Sequence, residues 1–157
     1  MTQRIDYRHA SPEAFKALLH TEAQVHRSGL EESLIELVKM RASQINGCAY
    51  CLDMHSKDAR AQGETEQRLY LLNAWREAPF YSDRERAALA WTEAVTCIAE
   101  DGVSDTLYAE VRRHFDDKGL VDLTLAVIAI NGWNRMAIAF RAKVGDYVSP
   151  HAGNAAR

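Results

Sequence analysis

The chain has 157 residues, with 19 Lys+Arg against 22 Asp+Glu and a formal net charge of -3. A domain of this length buries roughly 70% of its unfolded surface, so it needs no disulfide or metal to hold a core. Hydrophobic residues at 47% and charged residues at 26% are an ordinary globular balance, and no basic cluster marks a nucleic-acid footprint.

The N-terminal run Met1-Thr2-Gln3-Arg4-Ile5-Asp6 has no apolar export core. The longest apolar stretch, Leu123 to Ile130, is interrupted by Thr124 and too short to span a bilayer. A cytoplasmic protein with no membrane partner is expected. Gly29, Gly47, Gly63, Gly102, Gly119 and Gly145 fall where helices would end. No segment alternates apolar and polar as a half-buried strand does. The pattern predicts an all-α fold, one domain over 1–157.

A first helix is predicted from Ser11 as N-cap with Pro12 at its first position, carrying Phe15, Leu18, Leu19 and Val25. A second runs from about Glu31 to Ile45, with Leu34, Leu37, Val38, Arg41 and Ile45 on one stripe that only Arg41 breaks. Asn46-Gly47 ends it. A third begins near Cys48 and stops before Gly63, and a fourth carries Leu69, Leu72 and Trp75 up to Pro79. Ser82-Asp83-Arg84-Glu85 is a capping box that opens a helix with Ala88, Trp91, Val95 and Ile98 on one side. Ser104 caps a shorter helix holding Leu107, Val111 and Phe115. The last helix, about Asp122 to Lys143, is apolar nearly all round over Leu123–Ile130, so part of its burial is expected from another subunit.

The chemistry concentrates in Glu36…Cys48-Ala-Tyr-Cys51-Leu-Asp-Met-His55. On a helix starting at Cys48, Cys51 lies one turn on and His55 follows at i+4, so three reactive side chains share a face. The positive end of the helix dipole and a nearby imidazole both lower a thiol pKa from its free value of about 8.5. Such a pair suits a dithiol that cycles between reduced and oxidised forms. Zinc held by Cys48, Cys51 and His55 is the competing reading, although no second Cys/His pair completes the site. Cys97, alone beside Ile98, reads as core.

Glu36 is less direct. The Asn46-Gly47 turn folds the second and third helices antiparallel, placing Glu36 about 16 Å before it and His55 about 13 Å after it. The two therefore sit at similar heights, yet the helical wheel puts Glu36 opposite the Leu34/Val38/Ile45 stripe, as a solvated surface residue.

The run Glu36…Ser43-Gln-Ile-Asn-Gly-Cys48-Ala-Tyr-Cys51-Leu-Asp-Met-His55 resembles the core of the AhpD-like alkylhydroperoxidases, within the carboxymuconolactone decarboxylase superfamily. The likeness extends through Asp58-Ala59-Arg60, Gly63-Glu64, Trp75-Arg76-Glu77-Ala78-Pro79 and Asn131-Gly132-Trp133-Asn134-Arg135, with its motif core over about 31–115. The resemblance implies an oligomeric helical bundle, a homo-trimer or homo-hexamer, with no cofactor and no resident metal. It implies that Cys51 is attacked by peroxide and that Cys48 resolves the sulfenic acid as a disulfide. His55 and Glu36 would then form a proton relay, with Glu36 a partner that holds the imidazole. One departure is Tyr50, where the best-studied type has a histidine; a phenol with a pKa near 10 shuttles protons poorly at neutral pH.

The resulting expectation is a thiol-dependent alkyl hydroperoxidase regenerated by a dithiol partner, a dihydrolipoyl or thioredoxin-like protein. The alternatives are a disulfide reductase or adaptor serving another peroxidase, a decarboxylase-like enzyme using His55, and a zinc-stabilised module without redox activity.

Overall fold

The computed structural model describes residues 2–151, and every regular element among them is helical. The fold centres on α3 (Glu32–Asn46), which packs against α4 (Ala49–Ala61), α6 (Asp83–Thr96) and α9 (Asp117–Phe140). α2 (Pro12–His26) lies along α9, and α8 (Asp105–Val111) leans on α6. Gly132 permits the close approach of α2 and α9: a Cβ there would meet Leu18 Cδ2 at 3.3 Å.

Several boundaries follow the predicted signals. Pro12 opens α2, the Ser82/Glu85 capping box closes at both ends, and the Ser104 side chain accepts the Leu107 N–H. Other elements differ from expectation. A one-turn α1 (Tyr7–Ala10), capped by Asp6, precedes Ser11 and is too short to show periodicity. The fourth helix is broken into α5 (Glu66–Tyr70) and a 3-10 turn over Leu72–Ala74. Leu69, Leu72 and Trp75 nevertheless pack together with Leu37, Met40 and Leu89 in one apolar cluster.

α9 starts five residues early, at Asp117, because the Asp116 carboxylate accepts the Gly119 N–H at 2.7 Å. It ends at Phe140, where Arg141 takes a left-handed conformation (φ 56°). By length and composition alone this helix could cross a membrane, but its apolar residues Leu123, Val127 and Ile130 are completely buried against the other helices. Its outer side carries Val121 and Ile128, 68% and 55% exposed. Ile98, expected on the inner side of α6, instead opens the short α7 (Ile98–Asp101) and is exposed. Cys97 caps the break between α6 and α7 and is half-buried, not core.

The junction of α3 and α4 positions the motif. Gly47 adopts φ 67°, a left-handed conformation that glycine takes without strain. The Cys48 N–H bonds Ser43 O and the Gly47 N–H bonds Gln44 O, the double closure of a Schellman turn. Cys48 is thus both the last residue of one helix terminus and the N-cap of the next.

Candidate active site

The Cys48 sulfur accepts the Cys51 N–H at 3.4 Å and lies 2.6 Å from the Cys51 sulfur. Both cysteines are free and buried. The proton between them is unevenly placed. A hydrogen bond from the Cys51 thiol, opposed by burial and helped by the Cys51 amide and the Asn134 side chain, brings Cys48 down to about 7. The same hydrogen bond, reinforced by burial, pushes the Cys51 thiol up. One thiol of the pair is thus lowered, as expected at a helix start, but the cause is the Cys51 hydrogen bond and not the imidazole.

Beneath the pair, side chains tie the junction to α9. Asn134, completely buried, donates to Ser43 Oγ at 3.0 Å and accepts from Asn46 Nδ2 at 2.8 Å. Asn131 accepts from the same Asn46 amide and donates to Thr96.

His55 lies one turn beyond Cys51 and is buried. Its Nδ1 donates to Glu36 Oε2 at 2.9 Å. Glu36 is 4% exposed, so the surface position given by the helical wheel is wrong. That wheel assumes one wet side, whereas Leu34 through Met40 are all buried because other helices surround α3. Burial pushes the Glu36 carboxyl up, but the His55 hydrogen bond and the nearby cations outweigh it and hold it below the usual carboxylate range.

Cys51, His55 and Glu36 line a cavity of about 670 Å³ with apolar walls that include Phe15, Met54 and Trp133. Cys48 is not among its lining residues. At the rim, Arg8 donates to the Tyr50 hydroxyl at 3.1 Å, so the residue that departs from the histidine pattern is anchored by a cation. The chain after α9 also closes over α4: Tyr147 donates to Asp58 at 2.8 Å and Lys57 donates to Tyr147 O. This brings Pro150 and His151 to the cavity edge.

All four sequence-derived residues thus converge on one site. Sequence reasoning missed a second charged group on the same cavity: Lys39, Glu22 and His26. Lys39 is 1% exposed and pairs with Glu22. Glu22 also accepts from Trp133 Nε1 at 3.1 Å. Their signals were the i,i+3 spacing of Glu36 and Lys39 inside an apolar run and the i,i+4 spacing of Glu22 and His26. Among the described residues no group of three His, Cys, Asp or Glu side chains is arranged to hold a metal ion, so the zinc reading lacks a ligand set there.

Residues 12–94 match the sequence model of the carboxymuconolactone decarboxylase family. The chain is 48% identical over 139 residues to the uncharacterized protein YdfG of Bacillus subtilis (strain 168), covering 88% of this chain and 95% of YdfG. A crystal structure from Agrobacterium tumefaciens, of a protein of unknown function linked by name to AhpD antioxidant defence, superposes with TM-score 0.90 at 49% identity. It covers 93% of this chain and is itself covered completely. The debrominase Bmp8 shares the fold, with TM-score 0.78 at 18% identity over 87% of this chain and 74% of Bmp8.

Proposed function

The chain belongs to the carboxymuconolactone decarboxylase family as an AhpD-like member, and from that premise we propose that it reduces organic hydroperoxides with the Cys48/Cys51 pair. The observation that carries this reading is the asymmetry of the pair: Cys51 lines the cavity, while Cys48, whose sulfur accepts the Cys51 N–H, does not.

The cycle balances with these residues alone. His55 takes the first proton from the pair, leaving the thiolate on Cys48. The remaining thiol proton moves from Cys51 to Cys48 along their hydrogen bond, exposing a Cys51 thiolate to substrate. Its sulfur attacks the hydroperoxide; the S–O bond forms, the O–O bond breaks, and the alkoxide leaves with the proton from His55. Cys48 then loses its proton to His55 and attacks the Cys51 sulfenic acid. The S–S bond forms, and hydroxide leaves as water with that proton. Two thiols and one hydroperoxide give a disulfide, an alcohol and water. Glu36 holds the His55 Nδ1–H and stabilises the imidazolium, leaving Nε2 for proton exchange.

A dihydrolipoyl or thioredoxin-like protein would restore the dithiol, and a homo-trimer or homo-hexamer would cover the outer side of α9. The test is peroxide consumption by the purified protein with dihydrolipoamide or thioredoxin as reductant. Turnover lost in Cys51→Ser, with a dimedone-trapped sulfenic acid at Cys51 in Cys48→Ser, supports the reading. Disulfide reduction without peroxide consumption would identify an adaptor instead, and dimedone labelling of Cys48 would reverse the two roles.

A further inference from the structure

We infer that Lys39 is a positioning residue for the thiol pair: its buried ammonium holds Glu36 ionised and in place behind His55, with Glu22 as its counter-ion. This rests on the reading of His55 and Glu36 as the relay, and it extends that relay to a second helix.

The Glu36 carboxylate is used on both sides. Oε2 accepts from His55 at 2.9 Å, and Oε1 faces Lys39 Nζ at 3.8 Å. Lys39 in turn bonds Glu22 Oε1 and lies 3.3 Å from His26 Nε2. An ammonium this deeply buried persists only where carboxylates offset its lost hydration. One lysine between two carboxylates therefore fixes both of them. Without it, buried Glu36 keeps His55 as its only direct cationic partner, and a proton on Glu36 would remove the charge that stabilises the imidazolium.

The groups facing this cluster come from each neighbouring element. α2 supplies Glu22 and His26, and the start of α3 supplies Glu32, which binds His26 Nδ1 at 2.9 Å. α4 supplies Cys51, His55 and Asp58, and the segment after α9 supplies Tyr147 and His151. α9 itself contributes the indole N–H of Trp133. Lys39 is the deeply buried cation in this set, so its charge acts on the relay with little screening by water.

Charge arithmetic then separates positioning from scaffolding. Removing a buried cation makes every nearby anion harder to form, whereas removing the Glu22 carboxylate makes it easier. The experiment follows the thiolate by absorbance at 240 nm, or by iodoacetamide alkylation rate against pH, without peroxide. In Lys39→Met the apparent pKa of the thiol pair rises by about one pH unit, roughly a fivefold drop in thiolate at pH 7 for a pair that titrates near 7. Lys39→Arg keeps the wild-type value, and Glu22→Gln lowers it.

An unchanged or lowered pKa in Lys39→Met overturns the inference, as does an unchanged or raised pKa in Glu22→Gln. A generally loosened core would move both variants in the same direction. If Lys39→Met does not fold, Lys39→Arg and Glu22→Gln decide by the same directions. The alkylation readout needs no turnover, so an absence of peroxidase activity would count against the proposed function and leave this titration to stand by itself.

Discussion

The Nδ1 of His55 and the Oε2 of Glu36, nineteen residues apart in the chain, lie 2.9 Å from each other in a buried site. Two antiparallel helices meeting at Gly47 create this contact, and it fixes which imidazole nitrogen is left to exchange protons.

The contact predicts non-additive kinetics. His55→Ala should cut peroxide reduction at neutral pH on the order of 10²-fold, the lower range for general acid–base catalysis. Glu36→Gln should give a smaller loss, since the imidazole survives without its carboxylate. The double variant should match His55→Ala, because groups acting as one unit do not contribute independently. Single-turnover rates for the three variants against wild type check this.

Glu22 makes stability depend on acid pH. Burial pushes its carboxyl up, but hydrogen bonds from His26 and Lys39 and the Lys39 charge outweigh this and bring it from 4.5 to about 2. A carboxyl with a lowered folded pKa stabilises the fold fully above its unfolded value and loses that contribution as pH falls toward the folded one. Denaturant melts should show Glu22→Gln less stable than wild type by on the order of 3 kcal/mol above pH 5. The gap should close as pH falls from 4.5 toward 2.

Asn134 couples stability to thiol chemistry. Asn134→Ala removes the donor to the Ser43 hydroxyl and one of the two acceptors of the Asn46 amide, which keeps Asn131, and a buried group left unpaired costs about 1–3 kcal/mol. It also removes a hydrogen bond that lowers Cys48, so the thiol pair should titrate at higher pH. Urea denaturation and alkylation against pH measure the two effects on one sample.

The outer side of α9 is the surface on which the proposed assembly is tested. With Val121 and Ile128 exposed beside the partly exposed Tyr108, an apolar groove of this kind is uncommon on a monomer. Light scattering should report a trimer or hexamer at micromolar concentration, and Ile128→Glu should shift it toward monomer.

Much of this was legible in the sequence because capping chemistry and glycine are local signals. Ser82/Glu85, Ser104, Pro12 and Gly47 each marked a helix end correctly to within a residue. The spacing of Cys48, Cys51 and His55 put them on one side of one helix for the same reason. Glu36 was not legible from its wheel position, because a wheel describes one helix against solvent and α3 is enclosed on several sides. Lys39 escaped for that reason too, and its partner Glu22 lies on a helix whose placement no local pattern encodes. The break after Tyr70 reflects side chains competing for one apolar cluster, a tertiary preference that overrides helical periodicity.

On the proposed function, Cys48 and Cys51 act as one redox pair and Cys97 stays outside it. Titrating free thiols before and after one equivalent of an organic hydroperoxide, followed by disulfide mapping by mass spectrometry, tests it most directly. Two thiols per chain should disappear into a Cys48–Cys51 bond, with Cys97, whose thiol burial and nearby carboxylates push up, still free. Three thiols remaining, or a peptide linking Cys97 to either motif cysteine, would contradict it.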